Sequence, residues 1–302
     1  MTTTLTKQPT ASAASQPVSA VGHSDSVVAG RRRTTAVLAF LRTAAAYAGS
    51  GLWKAAGILA FLALWELGPT YLASPSTRVF LPPLHEVLAA WGKLFESGII
   101  QVHLAASLTR SVFGFGAALV AGVSLGLLIA WYGRLNSVLS PLLELFRNTA
   151  ALALLPVFTL LLGIGEESKI SIVAYAAFFP VLLNTIAGVK TVDPLLIRAA
   201  KSLGLSSLAL FRKVILPSAV PTVFTGIRMA GTASILVLIA AEMVGAKAGL
   251  GYLIVNAQSS FLIPDMYAGI LTVSLLGLAV NFLLVALERH FSRWRTAVGS
   301  GA

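Results

Sequence analysis

The stretch Asp193-Pro-Leu-Leu-Ile-Arg-Ala-Ala-Lys-Ser-Leu-Gly204, continued by Leu205-Ser-Ser-Leu-Ala-Leu-Phe-Arg-Lys-Val-Ile-Leu-Pro217, is a short polar insert between two apolar segments. Each of those segments is long enough to cross a bilayer. Asp193 is suited to N-cap a helix, with Pro194 at its first position, where a missing N–H costs nothing. Gly204 suits the left-handed C′ position that ends such a helix. Ser206 can start a second helix, and Pro217 marks the start of the next apolar segment. The expectation is a small helix–turn–helix, Pro194–Leu203 and Ser206–Lys213, exposed between two membrane spans with Ala199 and Ala200 on its surface.

The composition of the remainder agrees with a membrane setting. Charged residues make up 11% of the 302 and hydrophobic ones 57%. Soluble domains carry nearer a quarter charged residues. With no cysteine in the chain, disulfides and thiolate chemistry are excluded. The net charge of +11 does not point to nucleic acid, because the cations are spread along membrane-flanking loops rather than over a soluble face. Residues 1–50 are rich in Thr, Ser and Ala and carry Arg31-Arg32-Arg33, which predicts a disordered tail with an interfacial helix from Thr35 to Tyr47. Residues 51–296 form the transmembrane domain, with the polar insert at 191–217, and 297–302 a C-terminal tail.

Six segments are predicted to span: Ala55–Leu72, Ser111–Tyr132, Asn148–Gly163, Ile170–Val189, Ser218–Ala241 and Met266–Leu287. Placing the N-terminus inside gathers Arg31 to Arg33, Arg42, Lys54, Arg134, Arg147, Lys190, Arg198, Lys201, Arg212, Lys213, Arg289, Arg293 and Arg295 in the cytoplasm. Arg78, Lys93, Arg110, Lys169 and Lys247 fall on the other side. That bias predicts both termini and the polar insert inside. Gly114, Ala118, Gly122 and Gly126 recur every four residues along the second span, so they share one face, which is expected to pack on a neighbouring helix. Pro156, Pro180 and Pro221 at or near span interiors can bend their helices.

The polar insert resembles the coupling loop of ATP-driven importer permeases, whose pattern is Glu-Ala-Ala, three residues, Gly, nine residues, Ile-x-Leu-Pro. Ala199, Ala200, Gly204, Leu216 and Pro217 match at the right spacing, Val214 replaces the Ile, and Arg198 stands where the pattern has Glu. Further stretches are similar to the sulfonate, taurine, nitrate and bicarbonate branch of these permeases. They are Arg147-Asn-Thr-Ala-Ala-Leu-Ala-Leu-Leu-Pro156, Gly163-Ile-Gly-Glu-Glu-Ser-Lys169, Phe178-Phe-Pro-Val-Leu-Leu-Asn-Thr185, Gly226-Ile-Arg-Met-Ala230, Ala241-Glu-Met243 and Gly249-Leu-Gly-Tyr-Leu253. Ala150 and Ala151 replace the usual Pro pair. The resemblance covers roughly residues 55–295. It implies an all-α bundle of six transmembrane helices of the type I, MetI-like importer permease fold, with a cytoplasmic coupling helix pair. It also implies a bacterial inner membrane location, a second permease copy, two cytoplasmic ATPase subunits and an extracytoplasmic solute-binding protein. Asp193, Pro194, Arg198, Ala199, Ala200, Gly204, Leu216 and Pro217 would then be the ATPase-coupling residues. No Gly-x-x-x-x-Gly-Lys-Ser/Thr loop occurs, so ATP and Mg are expected on the partner and no cofactor on this chain.

Ionisable groups within a span are functional hypotheses by default. Arg228, about ten residues into the fifth span, has two readings: it attracts an anion in the translocation path, or it pairs with a carboxylate such as Glu144. Glu242 lies about 21 Å further along that helix, at its outer end, and either serves a gate or is solvated. Asn148, Asn184 and Asn281 either line the path or hydrogen-bond between helices, and Glu66 is expected to pair or snorkel. His23, His85, His103 and His290 are read in the tail or in loops, without metal-ligand spacing, and no Gly-x-Ser-x-Gly elbow is present. A secondary transporter or channel, and an intramembrane enzyme, are the rival readings. The insert opposes the first, and the lack of a nucleophile–base pair or metal cluster opposes the second. The sequence therefore favours a permease for a small anion such as a sulfonate, without catalytic residues or nucleic-acid binding.

Overall fold

The computed structural model describes residues 56–72 and 74–291. The tail at 1–50, its interfacial helix, the start of the first span and the tail at 297–302 lie outside the described residues. The chain divides into two units, 1–64 and 65–302. In the first, residues 56–64 are helical. All that follows concerns the second.

Every regular element among the described residues is helical. Helix α1, residues 56–67, ends in a π-helical turn, Gly68–Leu72. It is followed by α2 (Pro75–Phe80), α3 (Leu84–Glu96), α4 (Ile99–Trp131) and α5 (Gly133–Arg147). Then come a 3₁₀ turn (Ala151–Leu154), α6 (Leu155–Leu162), α7 (Glu166–Lys190), α8 (Pro194–Ser202) and α9 (Ser207–Leu210). A second π turn (Phe211–Ile215), α10 (Leu216–Glu242), α11 (Leu250–Ser259) and α12 (Ile263–Phe291) complete the chain. Among the described residues, four rods are long and apolar enough to cross a membrane: α4, α7, Ser207–Glu242 and α12. A fifth arises if α5 and the segment Ala151–Leu162 count together as one broken span, bent by 84°.

The differences from the sequence expectation have local causes. The span expected at Asn148–Gly163 is instead this broken pair, since α6 has only eight residues, about 12 Å of helix. The second span starts twelve residues earlier than expected, because the amphipathic segment from Ile99 continues the same helix. Helices α3 and α11 arise in segments where no span was expected. Helix α3 lays Ala90 and Leu94 on Ile100 and Ala268, and Trp91 Nε1 donates to Thr272 Oγ1 at 3.1 Å.

Helix α7 is the centre of the bundle. Half of its most apolar window is buried, against 11% for α12. The predicted small-residue face of α4 meets it. A Cβ added at Gly114 would lie 2.7 Å from Ile170 O, one at Gly122 2.9 Å from Val181 Cγ1, and one at Gly126 2.7 Å from Thr185 Cβ. The other face of α7 meets α10 as closely: a Cβ at Gly188 would come within 3.0 Å of Ala219 O, and one at Gly226 within 2.8 Å of Pro180 O. Ala118, Ala177, Val181 and Ala230 fill the space between the three helices. Pro180 and Pro221 lie inside α7 and α10, whereas Pro156 sits in the first turn of α6, where its missing N–H is harmless.

This packing predicts that Gly122→Leu forces α4 and α7 apart and destabilises the bundle by about 1–3 kcal/mol or more. Gly116→Leu on the same helix, where an added Cβ meets nothing within 4 Å, is expected to be nearly neutral. Thermal melting of the two variants in detergent distinguishes them.

Candidate functional site

The polar insert folds as a self-contained cap on one end of the bundle. Asp193 accepts a hydrogen bond from Leu195 N–H at 2.8 Å, and Pro194 opens α8. The helix closes on Gly204, at φ +75°, with two bonds of a Schellman motif: Gly204 N–H to Lys201 O at 2.9 Å and Leu205 N–H to Ala200 O at 3.2 Å. Ser206 caps α9 by accepting from Ala209 N–H at 3.4 Å. One expectation needs correction. Ala200 is not on the surface but buried with Val192, Leu210 and Ile215, because the Schellman turn folds Leu205 back over its methyl group; Ala199 is exposed. Pro217 falls in the first turn of α10, at the entry to the next apolar segment. Ser207–Glu242 is one unbroken rod, and the chain accommodates Pro217 by widening to a π turn in which Leu216 N–H donates to Phe211 O. The widening relieves the proline ring from the carbonyl it would otherwise strike. The cap presents Leu195, Leu196, Leu203 and Leu208 outward, ringed by Arg198, Lys201, Arg212 and Lys213. Arg198 makes no ion pair among the described residues.

The opposite end holds a buried polar cluster whose partners come from four elements. Arg110 of α4, 3% exposed, donates to both oxygens of Glu166 at 2.5 and 2.6 Å, to Glu242 Oε1 at 2.7 Å and to Ala248 O at 2.7 Å. Glu242 is fully buried and also accepts from Ser107 Oγ at 2.8 and 2.9 Å and from Gly251 N–H at 3.0 Å. Ser107 Oγ accepts from Leu250 N–H at 2.9 Å, and His103 Nδ1 accepts from Gly249 N–H at 3.1 Å. Glu242 is therefore buried and hydrogen-bonded rather than solvated. Gly249 cannot be replaced without striking it: an added Cβ there would overlap the Glu242 carboxyl and lie 2.6 Å from Arg110 Nη1. The described histidines also differ from the expectation, since His85, His103 and His290 all lie in helices. Glu66 pairs with the His85 ring at 2.6 Å and accepts from its N–H at 3.0 Å. His23 lies outside the described residues.

Between the two ends a cavity of about 550 Å³ opens among α5, α7 and α10, lined in part by Arg147, Thr149, Tyr175, Phe179, Asn184 and Met229. Of the path residues expected from sequence, only Asn184 lines it. Its Nδ2 donates to Pro180 O at 2.8 Å, which leaves one amide N–H and the Oδ1 free of protein partners. Asn148 is exposed and closes α5, its N–H donating to Glu144 O at 3.2 Å. Arg228 pairs with Glu288 at 3.3 Å rather than with Glu144, since α12, not α5, brings a carboxylate alongside α10. Sequence reasoning read Arg147 only as a cation flanking a span, and the structure places it in the cavity wall. Tyr175 Oη donates to Phe146 O at 3.0 Å, and Tyr175 stands nine residues into the 25-residue α7. That is roughly 14 Å from the start of a helix about 37 Å long, so Arg147, an exposed residue, stands level with the middle part of α7.

The ion cluster predicts that Arg110→Gln leaves Glu242 buried without its counter-charge, at a cost of about 3–5 kcal/mol. The double variant Arg110→Gln, Glu242→Gln is expected to recover part of that loss. Folded yield and melting temperature in detergent measure both.

The same architecture occurs in solved importers. An inward-facing MetNI methionine ABC transporter superposes with a TM-score of 0.51 at 20% identity, covering 64% of this chain and 94% of that one. An amino acid ABC transporter with histidines gives 0.51 at 22%, covering 67% and 96%. In sequence, the chain is 36% identical to the taurine transport system permease protein TauC of Escherichia coli, over 78% of this chain and 86% of that one. It is 36% identical to the putative aliphatic sulfonates transport permease SsuC of the same organism, over 78% and 89%. It is 31% identical to the bicarbonate transport permease CmpB of Synechococcus elongatus, over 79% and 88%. The profile of the binding-protein-dependent transport system inner membrane component family matches residues 119–296, and the chain belongs to that family as a multi-pass, non-enzymatic permease subunit of an ABC importer.

Proposed function

We propose that this permease moves a small organic anion, an alkanesulfonate such as taurine first, from a solute-binding protein on one side of the membrane to the cytoplasm. The observation that carries the coupling half of this reading is the cap formed by α8 and α9. Its own apolar core makes it a rigid unit, while four leucines remain outward in a ring of cations. Such a patch at a bundle end suits a protein partner, and a cytoplasmic ATPase subunit is the partner this family requires. Asp193, Pro194 and Gly204 shape the cap, Arg198 and Ala199 present its surface, Ala200 holds its core, and Leu216 and Pro217 join it to the long rod. ATP and Mg belong to that ATPase; the permease contributes movement. A second permease copy completes the path as a homodimer. The excess of Lys and Arg near the cap supports both termini and the cap being cytoplasmic. For the solute, support comes from relatives named for taurine, aliphatic sulfonates and bicarbonate.

The decisive assay is growth of a sulfonate-uptake-deficient host expressing the permease with its ATPase and binding protein. Growth on taurine or methanesulfonate as sole sulfur source is expected; no growth on either, with the complex assembled, would sink the sulfonate reading. Gly204→Asp adds a side chain at a positive φ and a charge beside the cap. Membrane insertion should persist while ATPase co-purification falls by about tenfold, a loss near 1.4 kcal/mol. Orientation is read with single cysteines. Arg198→Cys should be shielded from an impermeant thiol reagent in intact cells and Glu86→Cys labelled, and the reverse pattern would invert the topology.

A further inference from the structure

We propose that Arg147 and Asn184 form an anion subsite within the membrane, the polar half of a solute cavity whose other half is aromatic and apolar. This deepens the reading of the permease as an importer of small anions and rests on it.

The argument starts from what Arg147 lacks. Arg110 and Arg228 have carboxylate partners. Arg147 has no ion-pair partner among the described residues, and Glu144, one turn earlier on α5, does not reach it. Arg147 is exposed rather than buried in this chain, and a guanidinium level with the middle of a span is costly unless it faces a water-filled cavity or an anion. It does line a cavity, of about 550 Å³, ample for a solute of a few heavy atoms.

Its position is built rather than incidental. The bend after Arg147 ends α5, and Tyr175 Oη, donating to Phe146 O at 3.0 Å, fastens that end to the central helix. Phe146 also stacks near Phe179 at 6.3 Å between ring centroids, and Tyr175 meets Phe179 edge-on at 5.2 Å. Across the cavity, Asn184 keeps one amide N–H without a protein acceptor. The donors thus comprise the planar guanidinium fork of Arg147 and one amide, and the remaining wall includes Tyr175, Phe179 and Met229. A guanidinium fork matches a group with two or more oxygens in one plane of approach. Together with the apolar wall, it fits a sulfonate on a short carbon body better than a wholly polar anion such as bicarbonate.

The test reads the field of Arg147 directly and requires no transported solute. Ala176 lines the cavity, and the chain has no native cysteine, so Ala176→Cys introduces a single thiol. In the complete transporter reconstituted without ATP, that thiol is reacted with 2-sulfonatoethyl methanethiosulfonate and with its trimethylammonioethyl counterpart. Both rates are referred to those on a small free thiol. The anionic reagent is expected to be favoured about tenfold. Arg147→Lys should keep the preference, Arg147→Gln should abolish it, and methanesulfonate should slow the reaction only where the cation is present. A preference unchanged in Arg147→Gln overturns the subsite, as does one absent from the beginning. The two readings fail separately. No growth on sulfonates with the preference intact removes the cargo and keeps the subsite, and growth with no preference does the opposite.

Discussion

Helices in a bilayer gain nothing from leaving lipid for one another as apolar surfaces, so what binds them is how near their backbones can come. In this chain that nearness is set by the absence of Cβ atoms along two lines. One line, Gly114, Gly122 and Gly126 with Ala118 between them, lets α4 lie against α7; the other, Gly188 and Gly226, lets α7 lie against α10. The three helices therefore form a close-packed slab, and the other elements take their positions from it. Helix α12, far less buried, packs against the slab through larger side chains such as Leu284, which comes up to Gly231. The cavity beside Arg147 exists because α5 stops short of crossing and leaves the slab uncovered between α7 and α10.

The two ends of the slab obey opposite rules. At one end the polar groups are buried and satisfied: Glu242 accepts from three donors, Ser107 Oγ, Arg110 Nη1 and Gly251 N–H, with its side chain fully buried, and Arg110 spans two carboxylates and a carbonyl. At the other end the charges are exposed and the apolar groups are turned outward, as at Leu195 and Leu203. A closed polar network resists separation, because each broken bond strands a group away from water. An exposed apolar patch invites a partner. A single helical rod, Ser207–Glu242, joins these ends, with its π turn between cap and slab. A partner moving the cap therefore acts on the ion cluster through a lever about 54 Å long. The π turn is the one place along that rod where the α-helical bonding pattern is broken.

How much of this was legible in the sequence follows from how local each feature is. The cap of Asp193 on α8 and the glycine turn at Gly204 depend on neighbours within six residues, and the sequence carries them in full. The small-residue face of α4 is legible because a four-residue repeat needs only helical geometry. Ala200 was misplaced because an alanine looks the same in sequence whether the following turn folds over it or away. The pairing of Arg110 with Glu242 spans 132 residues, and no periodicity announces it. The partner of Arg228 was open to choice for the same reason: both Glu144 and Glu288 stand near span ends, and only the packing of α12 on α10 selects Glu288. The place of Arg147 in the cavity wall was not legible for another reason: charge bias reads a cation beside an apolar segment as a flank, and carries no sign of the 84° bend that sets it against α7 and α10.

That last case bears on how function is found in a membrane protein with few charges. A charge inside the bilayer is retained either because the fold needs it or because the cargo does, and its partners separate the two. Arg110, Glu166 and Glu242 consume one another's bonding capacity, so their removal is a matter of stability. Arg228 has a single bond to a partly exposed Glu288, and its role is mainly to tie α10 to α12. Arg147 contributes no bond that holds helices together; the hydroxyl of Tyr175, through the Phe146 carbonyl, does that beside it. An exposed cation without an ion-pair partner among the described residues is free to meet something that enters the cavity and leaves again. For a transporter such a contact must be moderate, because a solute held too firmly does not move on. One guanidinium and one amide facing an aromatic wall supply a contact of that moderate kind, where the saturated cluster at the far end would not.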